Sequence, residues 1–249
     1  MDLAPLTQHQ IEIERNLRSW QSKPLLQKIY AGFYERISKL IDRNLPGTIV
    51  EIGSGIGNLK ATIPEAVATD LFPNPWLDLV CDGYELPFAT EALSHLILFD
   101  VFHHLQWPGA FLHEAARVLN SHGRLILFEP FISFASYPVY GMGHHEPVAW
   151  HEAIDAHTKA PSRRGYYAAQ GNATRIFFED ELRDLLEAWE LFHRQGFAAF
   201  SYLLSGGFSK PALYSEARLG TLEKLDAACS RWPKLFGARC LVGLRKAGR

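Results

Sequence analysis

Cysteine is scarce in this chain: three in 249 residues, at Cys81, Cys229 and Cys240. An odd, widely spaced set gives neither a disulfide framework nor a C-x-x-C metal pattern, and a reducing, cytoplasmic setting fits it. Charge of one sign is lacking too. Lys and Arg number 25 against 27 Asp and Glu, a net charge of -2, so no global basic field calls for nucleic acid or an anionic membrane. No apolar run approaches the roughly 18 residues of a membrane helix. The start, MDLAPLTQHQIEIERNLRSW, has neither the basic lead nor the apolar core of a signal peptide. Repeats and low-complexity tracts are absent. Apolar side chains are plentiful: 47% of the residues are hydrophobic. That suffices for one large domain with a full core, or one domain carrying a sizeable insertion.

The organising stretch is Thr48–Lys60, TIVEIGSGIGNLK. Thr48, Ile49 and Val50 read as a buried strand, and the acid Glu51 follows at once. Gly53, Ser54, Gly55, Ile56 and Gly57 then allow a sharp turn and a close approach of backbone to ligand. A helix starting near Gly57–Asn58 would aim its free N–H groups at the same spot. The dinucleotide fingerprint G-x-G-x-x-G would need glycine at 58, where this chain has Asn58. An ordinary strand-to-helix turn and a dehydrogenase loop therefore both stand beside a third reading, which the residues downstream favour.

Ala66–Asp70 reads as a second strand ending in an acid, about 20 residues beyond the glycine loop, where a carboxylate grips a ribose diol. Asp70 and the following Leu71 suit a nucleoside, whichever one it is. Leu77–Asp82 reads as a third strand and continues as Asp82-Gly83-Tyr84-Glu85-Leu86-Pro87-Phe88. Ser94–Asp100 reads as a fourth, running on through Val101, Phe102, His103 and His104 into a helix led by Pro108. Arg124–Phe128 reads as a fifth. Alternating strands and helices mean a parallel, doubly wound sheet, and ligands lie beyond the carboxyl ends of its strands. Gly53–Gly57, Asp70, Asp82, Asp100–His104 and Glu129 all fall at that edge.

From Val50 to Pro130 these motifs resemble, in order, those of class I S-adenosylmethionine (SAM)-dependent methyltransferases of the small-molecule type. The pattern acid-x-G-x-G-x-G at Glu51–Gly57 resembles the family's first motif, and Asp82–Phe88 its D-A-x-x-L-P-F element. The HH-L…EA-RVL passage ends in His122–Gly123, where the family usually has a double glycine. The resemblance implies a Rossmann-like, mostly parallel seven-stranded sheet, helices before the first strand that form part of a cap over the cofactor, and SAM as cofactor. It places Glu51, Gly53, Ser54, Gly55 and Gly57 on the amino-acid half of SAM, Asp70 and Leu71 on the ribose, and Asp82 and Gly83 at the adenine. Asp100 and Tyr30 complete the expected cofactor set. For Asp82 a turn or helix-cap role stands beside that reading, and for Tyr30 and Tyr34 simple packing does.

Residues 1–46 are expected to be a helical cap, with helices over about Gln8–Asn44, and 47–130 the cofactor half. The aromatic and histidine-rich stretch Phe131–Phe178 is expected to be a lid inserted after strand five, which would exclude water and hold the acceptor. Residues 179–249 would complete the sheet, with a helix from Glu179, a sixth strand at Gly196–Leu204, a helix at Ala212–Cys229 and an antiparallel last strand at Gly237–Arg245. His144, His145, Glu146, His151, Asp155 and His157 cluster in sequence, but none has the H-E-x-x-H spacing, so no metal ligands are assigned. His103, His104, His144 and His145 are the candidate catalytic bases, since imidazole titrates near neutrality. Arg163, Arg164 and Arg175 could clamp an acceptor's anionic group, or simply form a solvated loop. The expected function is methyl transfer to an O or N atom of a small or medium organic acceptor, a sugar or a natural-product intermediate being suited to the aromatic insertion. The expected partners are that acceptor, no nucleic acid and no membrane, with the chain a monomer or homodimer. An NAD-dependent oxidoreductase, a non-catalytic SAM-binding module and a macromolecular methyltransferase are the alternatives.

Overall fold

The computed structural model describes residues 4–143, 146–161, 165–179 and 181–247. Seven strands form one sheet: β1 (Thr48–Ile52), β2 (Val67–Asp70), β3 (Leu79–Val80), β4 (Leu93–Phe99), β5 (Leu119–Pro130), β6 (Trp189–Phe197) and β7 (Arg239–Lys246). Their order is β3-β2-β1-β4-β5-β7-β6. Strands β1 to β5 pair in parallel, and β7 runs antiparallel to β5 and β6. This is the doubly wound, mostly parallel seven-stranded sheet expected from the sequence. An antiparallel strand between β5 and β6 departs from the strand order of dinucleotide-binding sheets.

Side chains alternate across the strands, so each strand feeds two cores. Val50, Ile52, Leu96, Leu98, Leu125 and Leu127 pack on one face with Phe111, Leu112, Ala115 and Val118 of α3 (Pro108–Val118). Ile49, Ile97, Ile126 and Phe128 face the other way, against Ile29, Phe33 and Ile37 of α2 (Pro24–Ser38). Pro24 sits in the first turn of α2, where its missing N–H costs nothing. The helix α1 (Ala4–Ser22) precedes it. Instead of only capping the cofactor edge, α2 is a core helix of the sheet.

Between β5 and β6 lie α4 (Tyr137–Gly143) and α5 (Asn172–Phe178). After β6 come α6 (Phe200–Leu204), α7 (Leu219–Cys229) and α8 (Pro233–Phe236). The helix expected from Glu179 is absent among the described residues. Leu182 takes a left-handed φ of 61°, only a short 3-10 turn follows at Arg183–Leu186, and Trp189–Phe197 is strand β6. Its leucines and Trp189 recur at helical spacing, but β7 offers an open edge, and backbone pairing there outweighs local propensity. The sixth strand therefore lies earlier than Gly196–Leu204, and Phe200–Leu204 is helical. The helix expected after the glycine loop is one 3-10 turn, Asn58–Ala61.

One buried ion pair ties β7 to the exit of β4. Arg239 is 2% exposed, its Nη2 lies 2.5 Å from Asp100 Oδ1, and its guanidinium sits 4.8 Å from the Phe128 ring centre and 5.3 Å from that of Tyr202. Removing one partner of such a pair leaves an uncompensated charge. Asp100 keeps a side chain 27% exposed, so the low end of the range applies. We predict that Arg239→Ala loses about 3 kcal/mol of unfolding free energy in urea titration. A loss below about 1 kcal/mol, the value of an exposed pair, would contradict this account.

Candidate functional site

The glycine loop is held in a shape that glycine alone allows cheaply. Gly53, Gly55 and Gly57 have φ of 71°, 53° and 71°, the left-handed region. A Cβ on Gly53 would lie 2.4 Å from Val101 Cγ2, so the loop packs directly on the exit of β4. In front of Gly55 nothing lies within 4 Å of where a Cβ would be. Acids stand at or just beyond the carboxyl ends of the neighbouring strands β1, β2 and β3.

Glu51 is 4% exposed and alternates with Ile49 toward α2. Its Oε2 is buried without a hydrogen-bond partner. Burial pushes its carboxyl up to about 7, against the Ser54 hydrogen bond that favours the ionised form. Asp70 accepts the Gly55 N–H through Oδ2 at 3.0 Å, and Asn74 Nδ2 donates to the Gly55 carbonyl at 3.0 Å. The Ser54 hydroxyl accepts the Thr69 N–H at 3.0 Å, so the loop and β2 form one hydrogen-bonded unit. Leu71, beside Asp70, is 54% exposed, a bare apolar side chain at the rim. Asp82 accepts the Tyr84 N–H at 2.9 Å, and Gly83 packs near Ile52 and Phe111.

Tyr30 is buried in a ring cluster with Trp20, Tyr34, Phe99, Tyr202 and Phe208. Tyr34, one turn later, is the tyrosine whose phenol is raised by burial and by the Glu51 charge, and it hydrogen-bonds Asn58. The Ser205–Pro211 turn is fastened to the N-terminal helices. Lys23 Nζ donates to the Gly207 and Lys210 carbonyls at 2.7 Å each, and Phe208 stacks on Trp20.

A second cluster follows β4. Glu129, at the end of β5 and fully buried, accepts the Val101 and Phe102 N–H groups through Oε1 at 2.9 and 2.7 Å. Its Oε2 meets the His103 N–H at 3.3 Å and His103 Nδ1 at 2.6 Å. On the far side of that ring, Nε2 lies 3.4 Å from Glu146 Oε2. His104 Nδ1 contacts the Tyr167 carbonyl at 3.0 Å, and its Nε2 lies 3.5 Å from Glu146 Oε1. Burial would lower the His103 pKa, but the Glu129 and Glu146 carboxylates prevail and hold it at about 10. Burial lowers that of His104, with repulsion from His103 adding to it. So His103 carries a proton between two acids, whereas His104 is the neutral imidazole.

The insertion builds this cluster by folding back. Ala169 N–H donates to the His103 carbonyl at 2.9 Å, and Gln170 and Gly171 N–H groups donate to Pro147 and Val148. Arg175, expected as an acceptor clamp, is 6% exposed. It is committed to Glu181 at 2.8 Å and to the Glu152 carbonyl at 2.7 Å. Its work is to brace the insertion. His144, His145, Arg163 and Arg164 lie outside the described residues. His157 pairs with Asp155 at 2.5 Å on the exposed surface, away from the histidine cluster. Sequence reasoning grouped Glu146 with its sequence neighbours and missed its place opposite His103 and His104. The Tyr167 carbonyl, a backbone group, left no sequence signal.

Sheet order and flanking helices define an α/β domain with a Rossmann-like methyltransferase fold. Residues 50–127 match the family model described as a methyltransferase domain. Over those residues the chain is similar to a methyltransferase domain. No curated protein matches the chain. Among solved structures, a SAM-dependent methyltransferase and possible histamine N-methyltransferase from Thermotoga maritima is similar at TM-score 0.55 and 17% identity, over 94% of this chain and 98% of that one. Geranyl diphosphate C-methyltransferase from Streptomyces coelicolor A3(2), crystallised with Mg2+, geranyl diphosphate and S-adenosyl-L-homocysteine, is similar at TM-score 0.51 and 13% identity, over 88% and 79%. The [4+2]-cyclase SpnF is similar at TM-score 0.50 and 11% identity, over 87% and 81%. At these identities the likeness is one of fold. Among the described residues no helix is long and apolar enough to cross a membrane.

The residues fit the cofactor. Glu51 Oε2 is an orphaned buried acceptor suited to an ammonium group, and the space before Gly55 is open. Glu51 also makes a pH prediction. Its folded pKa of about 7 exceeds its ordinary 4.5, so the folded chain holds a proton that the unfolded chain releases. Stability from this group is full below about pH 4.5 and is lost as pH rises through 7, by about 3 kcal/mol. Glu51→Gln, which has no proton to lose, should remove that decline. Urea midpoints of both proteins from pH 4 to 8 measure it, and parallel pH curves would refute it.

Proposed function

We propose that this chain transfers a methyl group from SAM to an O or N atom of a small or medium organic acceptor held under the 131–178 insertion. The observation that carries the reading is the orphaned Glu51 carboxylate beside the open glycine loop, with Val101 joining that loop to the His103–His104–Glu146 cluster. When bound, SAM supplies an electrophilic methyl carbon on a sulfonium. In this reading Glu51 pairs with its ammonium, Asp70 with the ribose diol and Asp82 with the adenine amino group. Leu71 gives the nucleoside an apolar wall. Gly53, Ser54, Gly55, Gly57 and Gly83 let the backbone approach it. Asp100 and Tyr30 stand behind the first contacts, in the Arg239 cluster.

The acceptor end of the site is polar and mostly dry. The His103 side chain is 4% exposed, that of Glu146 10% and that of His104 32%. The acceptor therefore meets the cluster from the His104 side. His103, clamped by Glu129, positions Glu146. His104 Nε2 and the Glu146 carboxylate are the atoms that draw the proton from an acceptor hydroxyl or ammonium. Placing the acceptor in line with the methyl carbon is the larger part of such catalysis, and a lid that shuts out water serves it. The three neighbours are named for unlike chemistry, one of them a cyclase, so the fold carries no acceptor identity.

Calorimetric titration with SAM, with NAD+ as paired control, tests the cofactor end. Micromolar SAM binding with no NAD+ binding is expected, weakened by Asp82→Ala. In methyl-transfer assays over a panel of hydroxyl and amine acceptors, His104→Ala should lower kcat by about 10²–10⁴-fold at unchanged SAM affinity. SAM binding with no transfer to any acceptor would favour a non-transferring SAM-binding module, and NAD+ binding alone an oxidoreductase.

A further inference from the structure

One potential ligand atom each of His103, His104 and Glu146 lie within 4.8 Å of one another, and both histidines turn Nε2 toward Glu146. The nitrogens sit 3.4 and 3.5 Å from the carboxylate oxygens that face them. Three ligands around one ion, each about 2.1 Å from it, stand about 3.0–3.4 Å apart. The two nitrogen–oxygen spacings come within about 0.1 Å of that range, and the ligand atoms of the two histidines lie within 4.8 Å of each other.

The hydrogen-bond directions are the second observation. His103 Nδ1 is committed to Glu129 and His104 Nδ1 to the Tyr167 carbonyl. Both contacts require an N–H on Nδ1, so Nε2 is the ring nitrogen left for a ligand bond: in His104 it carries a lone pair, and in His103 a bound ion would displace the Nε2 proton, as metal binding does at its ligands. Both Nε2 atoms face an acid that is itself oriented by Tyr166 Oη at 3.0 Å and Gln170 Nε2 at 3.0 Å. Carboxylate or carbonyl on Nδ1 with the metal on Nε2 is how ligating histidines are fixed. A hydrogen-bonded carboxylate completes the same pattern.

We propose that His103 Nε2, His104 Nε2 and Glu146 bind a divalent first-row transition cation, Zn2+ or Fe2+ in class. Two histidines and one carboxylate suit these ions, whereas Mg2+ and Ca2+ prefer all-oxygen sets. Three protein ligands leave at least one coordination position open. That position opens on the His104 side, toward the acceptor. If the methyltransferase reading holds, on which this last step rests, an acceptor oxygen or nitrogen takes that position and the ion, in place of a free His104 or Glu146 base, orients and acidifies it.

The test uses the full chain, stripped with chelator and titrated with Zn2+ by calorimetry and with Co2+ by visible absorption. One equivalent of each is expected, with Co2+ giving the d–d bands of a four- or five-coordinate site. Glu146→Gln, which keeps the shape and the Tyr166 contact, and His104→Ala should each weaken Zn2+ binding by at least about 100-fold. Of the three ligands Glu129 touches only His103, so Glu129→Gln should weaken it by about 10–100-fold. Thermal melts and SAM titrations of every variant show that the fold and the cofactor end survive. No one-to-one binding by the folded wild type overturns the proposal. So does one-to-one binding that Glu146→Gln and His104→Ala leave unchanged, since the ion would then sit on surface histidines such as His157. Zn2+ binding without SAM binding would retain this site and reject the methyltransferase reading. SAM binding without Zn2+ binding would do the reverse.

Discussion

The Glu129 carboxylate is the constraint on which the site depends. It is a fully buried acid at the carboxyl end of a central strand. Taking a carboxylate out of water costs several kcal/mol unless partners replace the lost hydration. Here three consecutive backbone N–H groups, of Val101, Phe102 and His103, and the His103 ring replace it. Each N–H would itself be an orphan at the start of a short 3-10 turn. Acid and turn therefore satisfy each other, and neither is stable without its partner. That mutual dependence fixes where the chain goes after β4. Val101 is set against Gly53, which shapes the cofactor loop, and His103 is set against Glu146, which shapes the acceptor end.

Charge balance extends the same logic outward. Around the exit of β4 lie Asp100, Glu129 and Glu146, three acids on a small area. Arg239 answers Asp100 from β7, and His103 answers Glu129 and Glu146 together. Arg239 is surrounded by Phe33, Phe99, Phe128 and Tyr202, a setting in which a guanidinium gains from ring faces what it lacks in water. The antiparallel β7 is what delivers Arg239 there. The strand that departs from a dinucleotide-binding sheet is thus the strand that steadies the corner next to the glycine loop.

Much of this was legible because the relevant signals are local. The alternation of Val50 and Ile52 with Ile49 and Glu51, the glycines at 53, 55 and 57, and Pro24 and Pro108 at helix starts act within a few residues. Sheet, loop and α2 follow from them. The region after Phe178 was misread for the converse reason. EDELRDLLEAWELF has helical spacing, yet its fate is decided by the free edge of β7, some 50 residues away in sequence. Arg175 was read as a ligand clamp because a sequence does not show that Glu181 and two carbonyls claim it. Glu146 was seen only among its neighbours, since its partners His103 and His104 lie more than 40 residues earlier.

The division of labour between sheet and insertion follows from those distances. The acids proposed to hold the cofactor, Glu51, Asp70 and Asp82, belong to strand ends, whose geometry the sheet ladder determines. The proposed acceptor cluster is half scaffold, His103 and His104, and half insertion, Glu146 with Tyr166, Tyr167 and Gln170. Only when Ala169 pairs with the His103 carbonyl and Arg175 braces the loop do these halves meet. A sheet of this kind can keep its nucleoside while the insertion is rewritten, which is how one fold serves unlike acceptors. In this chain a carboxylate faces two oriented imidazoles, and in the proposed reading that arrangement, more than the fold, sets which acceptor chemistry the site performs.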